Sequence, residues 1–228
     1  MWPHLNPNDF VITRRRKKYK FAKFANAENC FEFVQWQKRH VDVVEIGAGN
    51  GLFSVELAAR HSELTFVAID VKADRLQHGA YIALERGLTN VLFVRARADQ
   101  IDEIFDARSL SRIWLTFPDP FPRQRSAGRR LTHPTFLAKY SALLDDGGQL
   151  CLKHDDQHFF AWSLEQFVAT HWYIDELSFD LHESDLDDDY KVLTTYEERW
   201  LREGKPSQFA RARLVARQTP ARSVSRDS

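Results

Sequence analysis

The feature that most limits how this chain can fold is a strand, a glycine-rich turn and a helix in immediate succession. VDVVEIG spans 41–47, AGNG follows, and Leu52, Val55, Leu57 and Ala58 are spaced for one helical face. The alternation continues. TFVAID (65–70) reads as a strand, ADRLQHGAYIALERGL (73–88) as a helix, and NVLFVRARAD (90–99) and SRIWLTF (111–117) as strands. THPTFLAKYSALL reads as a helix with Pro134 suited to its first turn, GGQLCLKHD as a strand, and 157–170 as a helix. WYIDELSFDLH and QFARARLVAR then supply two last strands, paired antiparallel. Such a rhythm demands a mostly parallel sheet with helices on both faces. At 228 residues and 43% apolar content, the chain can bury the core this sheet needs. Residues 1–40 read as a basic arm and lead-in that includes the aromatic stretch CFEFVQWQ, 41–217 as the folded domain, and 218–228 as a disordered tail.

Ligands of such sheets bind beyond the carboxyl ends of the strands. EIGAGNG stands there. Gly47, Gly49 and Gly51 let the backbone turn and approach a ligand, and Asp70 ends the second strand where an acid can bind ribose hydroxyls. A dinucleotide fingerprint would place glycine at 52, where this chain has Leu52. With Glu45 before the loop, E-x-G-x-G-x-G is instead the pattern of S-adenosylmethionine-dependent methyltransferases, whose ligand carries a cationic sulfonium that a carboxylate suits. Asp99, after the third strand, falls where these folds contact adenine. The expected architecture is the Rossmann-like class I methyltransferase fold, with a seven-stranded sheet and an antiparallel C-terminal strand.

TFPDPFPRQRSAGRR (116–130) sets Asp119 between two prolines just ahead of Arg123, Arg125, Arg129 and Arg130. The chain here resembles the bacterial tRNA (guanine-N7)-methyltransferase family, marked by an F-P-D-P-W-P-K-x-R-H-x-K-R-R-like segment after the fourth strand. LKHDD (152–156) resembles the family's K-T-D-N element and TTYEERWLREGKP (194–206) its T-x-Y-E-x-K-F element. Phe121, Arg123, Ser126, Gly128, His154 and Asp70 depart from the usual residues. The resemblance implies S-adenosylmethionine as cofactor, tRNA as partner, and transfer of a methyl group to N7 of a variable-loop guanine. It further implies Asp119 as the catalytic carboxylate, also beside the cofactor, with Glu45, Gly47, Gly49, Gly51, Asp70 and Asp99 as cofactor contacts. Arg123, Asp155, Thr194 and Glu197 would then meet the substrate, and Arg125, Arg129 and Arg130 the tRNA phosphates. Phe121 is expected to pack beneath its loop.

Composition bounds the rest. The formal net charge is zero, with 32 basic and 32 acidic residues, yet Arg14, Arg15, Arg16, Lys17, Lys18, Lys20 and Lys23 crowd the N-terminus. A local field of that kind attracts a polyanion even on a neutral protein. No apolar run is long enough to span a membrane and no signal peptide is evident, so a cytoplasmic location is expected, as a monomer or homodimer. Cys30 and Cys151 match no metal or redox spacing. His154, Asp155, Asp156 and His158 are metal-ligand types, but no second cluster accompanies them and no metal is expected. Asp185 to Asp189 reads as a solvated loop. An RNA-binding module without catalysis, or a methyltransferase for another RNA or a small molecule, are the alternatives.

Overall fold

In the computed structural model the described residues are 6 and 15–214. Arg14 and the expected tail at 218–228 lie outside them. The elements run α1 (Arg15–Asn26), β1 (Cys30–Glu32), β2 (Val43–Ile46), α2 (Leu52–Arg60), β3 (Phe66–Asp70), α3 (Ala73–Glu85), β4 (Val91–Arg95) and α4 (Ile101–Ile104). They continue with β5 (Leu110–Thr116), α5 (Pro134–Leu143), β6 (Leu144–His154), α6 (Gln157–Ala169), β7 (Trp172–Ser178), α7 (Thr195–Arg202) and β8 (Gln208–Leu214). Among the described residues no helix is long and apolar enough to cross a membrane.

One sheet of eight strands runs in the order β1-β4-β3-β2-β5-β6-β8-β7. β1 to β6 are parallel, and β8 inserts antiparallel between β6 and β7. The antiparallel end is as the sequence predicts; the strand count is one higher than seven. β1 pairs Cys30 with Phe93 and Glu32 with Arg95, and it is only three residues long, too short for alternation to register. Residues 15–26 are likewise a helix, whose Phe24 is buried, and Asn29 ties the segment to α3 by donating to the Ala80 carbonyl at 3.0 Å.

The core divides into two layers because successive strand residues face opposite sides of the sheet. Val44, Ile46, Val67, Ile69, Ile113 and Leu115 pack with buried residues of α5 and α6. Val43, Ala68, Phe93 and Trp114 pack with α2 and α3. All four residues of β2 are buried, as a central parallel strand covered on both faces requires. From β2 the chain order proceeds outward through β3 and β4 on one side and through β5 and β6 on the other. That reversal opens a crevice at the carboxyl ends of β2 and β5.

Candidate active site

A cavity of about 850 Å³ occupies the crevice, lined by Gly47, Asp70, Asp99, Phe117, Asp119 and Arg129 among others. Its size is within the roughly 300–1,000 Å³ usual for small-molecule sites. Gly47, Gly49 and Gly51 have φ of 80°, 58° and 72°, the left-handed region that residues with a Cβ rarely enter. Gly51 is further constrained, since a Cβ there would meet Phe93 Cε1 at 2.6 Å. The loop is tied to β3. Asp70 accepts from the Gly49 amide at 2.9 Å and the Lys72 amide at 2.8 Å. Burial raises the Asp70 carboxyl above its ordinary value, while these amides oppose the rise.

Glu45 is not on the cavity wall. It points to the α2 side, where its oxygens accept from Ser54 Oγ and Thr116 Oγ1, each at 2.5 Å. Burial pushes its carboxyl up to about 7, although both hydroxyls and the charge of Lys153 pull it back. Sequence reasoning put this acid beside the ligand; the structure uses it to fasten β2 to α2 and β5. Asp99 lines the cavity but already holds Arg97, with Nε and Nη2 at 2.9 and 2.8 Å. That fork holds its carboxyl below the usual range.

Asp119 is an exposed carboxylate at the cavity wall, and no residue among those described forms a hydrogen bond or ion pair with it. Its neighbours are fixed. The Phe117 amide donates to the Lys153 carbonyl at 2.9 Å, and Phe117 and Phe121 both sit at positive φ, 49° and 39°. Phe121 lines the cavity half-buried, and the Arg129 guanidinium lies 4.3 Å from its ring centroid. Arg123 and Arg125 are exposed on the following turn. Arg130 turns inward instead and contacts backbone carbonyls of the same loop, against the expectation of a free phosphate ligand.

Asp155, Thr194 and Glu197 do not line the cavity. Asp155 accepts from Tyr196 Oη at 3.4 Å, and the Tyr196 ring packs on Phe117 at 5.3 Å between centroids. Thr194 and Glu197 form a capping box at the start of α7. Glu197 is fully buried, with Oε2 2.7 Å from Lys153 Nζ and Oε1 2.8 Å from His182 Nε2. Burial favours its neutral form, but His182 and Lys153 outweigh that and hold the carboxyl below its ordinary value. These two residues therefore seat α7. Sequence reasoning missed Lys153 and Asn50, whose side-chain amide donates to Thr195 Oγ1 at 2.9 Å and so joins the glycine loop to α7. A lysine closing the apolar run QLCLK was the available signal for the first; the second had none.

A family profile described as "Putative methyltransferase" matches residues 39–210. The tRNA (guanine-N(7)-)-methyltransferase of Brevibacillus brevis is 39% identical over 162 residues, covering 71% of this chain and 75% of the relative. That of Bacteroides thetaiotaomicron is 31% identical over 219 residues, covering 88% and 86%. The chain belongs to the tRNA (guanine-N7)-methyltransferase family. Among solved structures, the 16S rRNA methyltransferase KamB superposes with a TM-score of 0.58 over 79% of this chain and 89% of its own, at 14% identity. That likeness establishes the methyltransferase fold and nothing about substrate.

Proposed function

We propose that this chain transfers the methyl group of S-adenosylmethionine to N7 of a variable-loop guanine in tRNA, in the cytoplasm. The observation that carries the reading is Asp119, a carboxylate without a hydrogen-bond or ion-pair partner among the described residues, on the wall of the cavity that Gly47 also lines. S-adenosylmethionine supplies an electrophilic methyl group on a cationic sulfur. The residues present fit it: the open backbone at Gly47 and Gly49 can approach its amino-acid end, Asp70 retains lone pairs for ribose hydroxyls, and Asp99 stands at the adenine end.

Guanine N7 has a free lone pair and no proton to lose, so the nitrogen–carbon bond forms as the carbon–sulfur bond breaks, and positive charge moves to the ring. No general base is required. Alignment and electrostatic stabilisation are the terms a protein can supply. Asp119 can accept from N1–H and N2–H of guanine and offset the charge growing on the ring. Arg123 and Arg125 bind phosphates, which position the tRNA without reading its bases.

The test is methyl transfer from labelled S-adenosylmethionine to unmodified tRNA, followed by chain cleavage at N7-methylguanosine. A single cut at a variable-loop guanine is the expected result. Label at any other atom, or no label with the cofactor bound, overturns the reading.

A further inference from the structure

The loop that carries Asp119 has prolines at 118, 120 and 122, so few of its residues can donate a backbone hydrogen bond. Its carbonyls are the handles that remain. Two side chains take hold of them on either side of Asp119. His154 Nε2 lies 2.9 Å from the Pro118 carbonyl, while the Asp156 amide donates to His154 Nδ1 at 2.8 Å. An amide donor into Nδ1 leaves the ring proton on Nε2, so the neutral ring donates to Pro118. The ring is buried against Phe159, with centroids 4.4 Å apart. On the far side, Arg130 Nε donates to the Pro120 carbonyl at 3.0 Å and Nη2 to the Phe121 carbonyl at 3.2 Å. Its guanidinium rests 4.3 Å from the Trp162 ring centroid.

We propose that Arg130 and His154 are positioning residues that clamp the carbonyls flanking Asp119 and fix its carboxylate for methyl transfer. The inference rests on the proposed function. The strained residues at both ends of the loop fit a clamp, since positive φ in phenylalanine persists only where surroundings over-determine the backbone. Both anchors belong to one frame: His154 ends β6, Asp156 caps α6, and Phe159 and Trp162 lie on α6. The loop is thereby referenced to the β6–α6 corner. A planar fork that contacts two adjacent carbonyls and an aromatic face is a task lysine cannot perform.

That difference makes the test. Arg130→Lys keeps the charge and removes the fork, and Arg130→Ala removes both. The clamp predicts that both variants lose about tenfold to 10² in single-turnover rate, the scale of a misplacement near 1 Å. It also predicts an unchanged slope of log K for tRNA against log salt. Hydrogen exchange at the Phe117 and Ser126 amides, which donate to the Lys153 and Arg123 carbonyls on either side of Asp119, should quicken in both. His154→Ala should behave likewise, and His154→Gln, which can still donate to Pro118, should recover most of the rate. A phosphate contact predicts the opposite: Arg130→Lys close to parental, and Arg130→Ala lowering the slope by about 0.7 to 0.9. That pattern, or parental exchange at 117 and 126 in Arg130→Lys, overturns the proposal. If the parent itself transfers no methyl group to tRNA, the functional reading fails, and the exchange comparison still decides whether the clamp exists.

Discussion

Asp70 and Asp119 line the crevice while Glu45 is buried behind it, and each of the three carboxylates meets different surroundings. Glu45 has the most testable consequence. Its folded value of about 7 lies above the ordinary 4.5, so it contributes stability that is fully present below pH 4.5 and is lost as pH rises through 7. At about 1.4 kcal/mol per pH unit, the span is on the order of 3 kcal/mol. Glu45→Gln should remove this dependence: melting temperature against pH should be flatter between 4.5 and 7 than in the parent. An unchanged curve would mean that Glu45 is ionised in the folded protein at little cost. For Asp119 the matching change is Asp119→Asn. It should leave melting and cofactor affinity near parental and reduce methyl transfer by about 10² to 10³, the usual cost of one preorganised stabilising group. Single-turnover rates within about threefold of the parent, far short of that loss, would remove Asp119 from the reaction.

At the scale of elements, a buried ion pair is among the anchors of α7. Glu197→Ala would leave the Lys153 ammonium buried without its partner, which typically costs about 3 to 5 kcal/mol. Chemical denaturation should show that loss, and a Lys153→Met, Glu197→Leu double variant should recover much of it. A loss below about 1 kcal/mol would mean that the pair is solvated in practice. This pair also marks where sequence reading stops. The glycine loop and the strand-ending Asp70 were legible because φ above zero and strand-end geometry restrict residue type locally. Lys153 and Glu197 are 44 residues apart, and nothing local to either names the other. The contacts of Arg130 are illegible for a related reason: its partners are carbonyl oxygens, which every residue has and no sequence pattern marks. The strands β2 to β6 were legible because burial on both faces leaves near-continuous apolar runs, whereas β1 and α1 carry aromatic and basic residues that suit several conformations.

Over the whole molecule, zero net charge conceals segregation, and RNA affinity should follow the local field. Replacing Arg123 and Arg125 by Ala should lower the slope of log K for tRNA against log salt by about 0.7 to 0.9 for each phosphate no longer neutralised, with cofactor affinity unchanged. Titration at several salt concentrations measures it, and a parental slope would make both side chains bystanders. The N-terminal segment has a second role beside its charge. β1 occupies the outer side of β4, and Arg95 of β4 reaches across to Glu32 at 3.1 Å. Without residues 15–32, the backbone amides and carbonyls of VLFVR would lie bare along an apolar margin, the kind of template on which chains add to one another and precipitate. A shortened protein made to test the basic residues would therefore aggregate for reasons unrelated to RNA, so the lysines of α1 have to be neutralised in place, with the strand that guards the margin left intact.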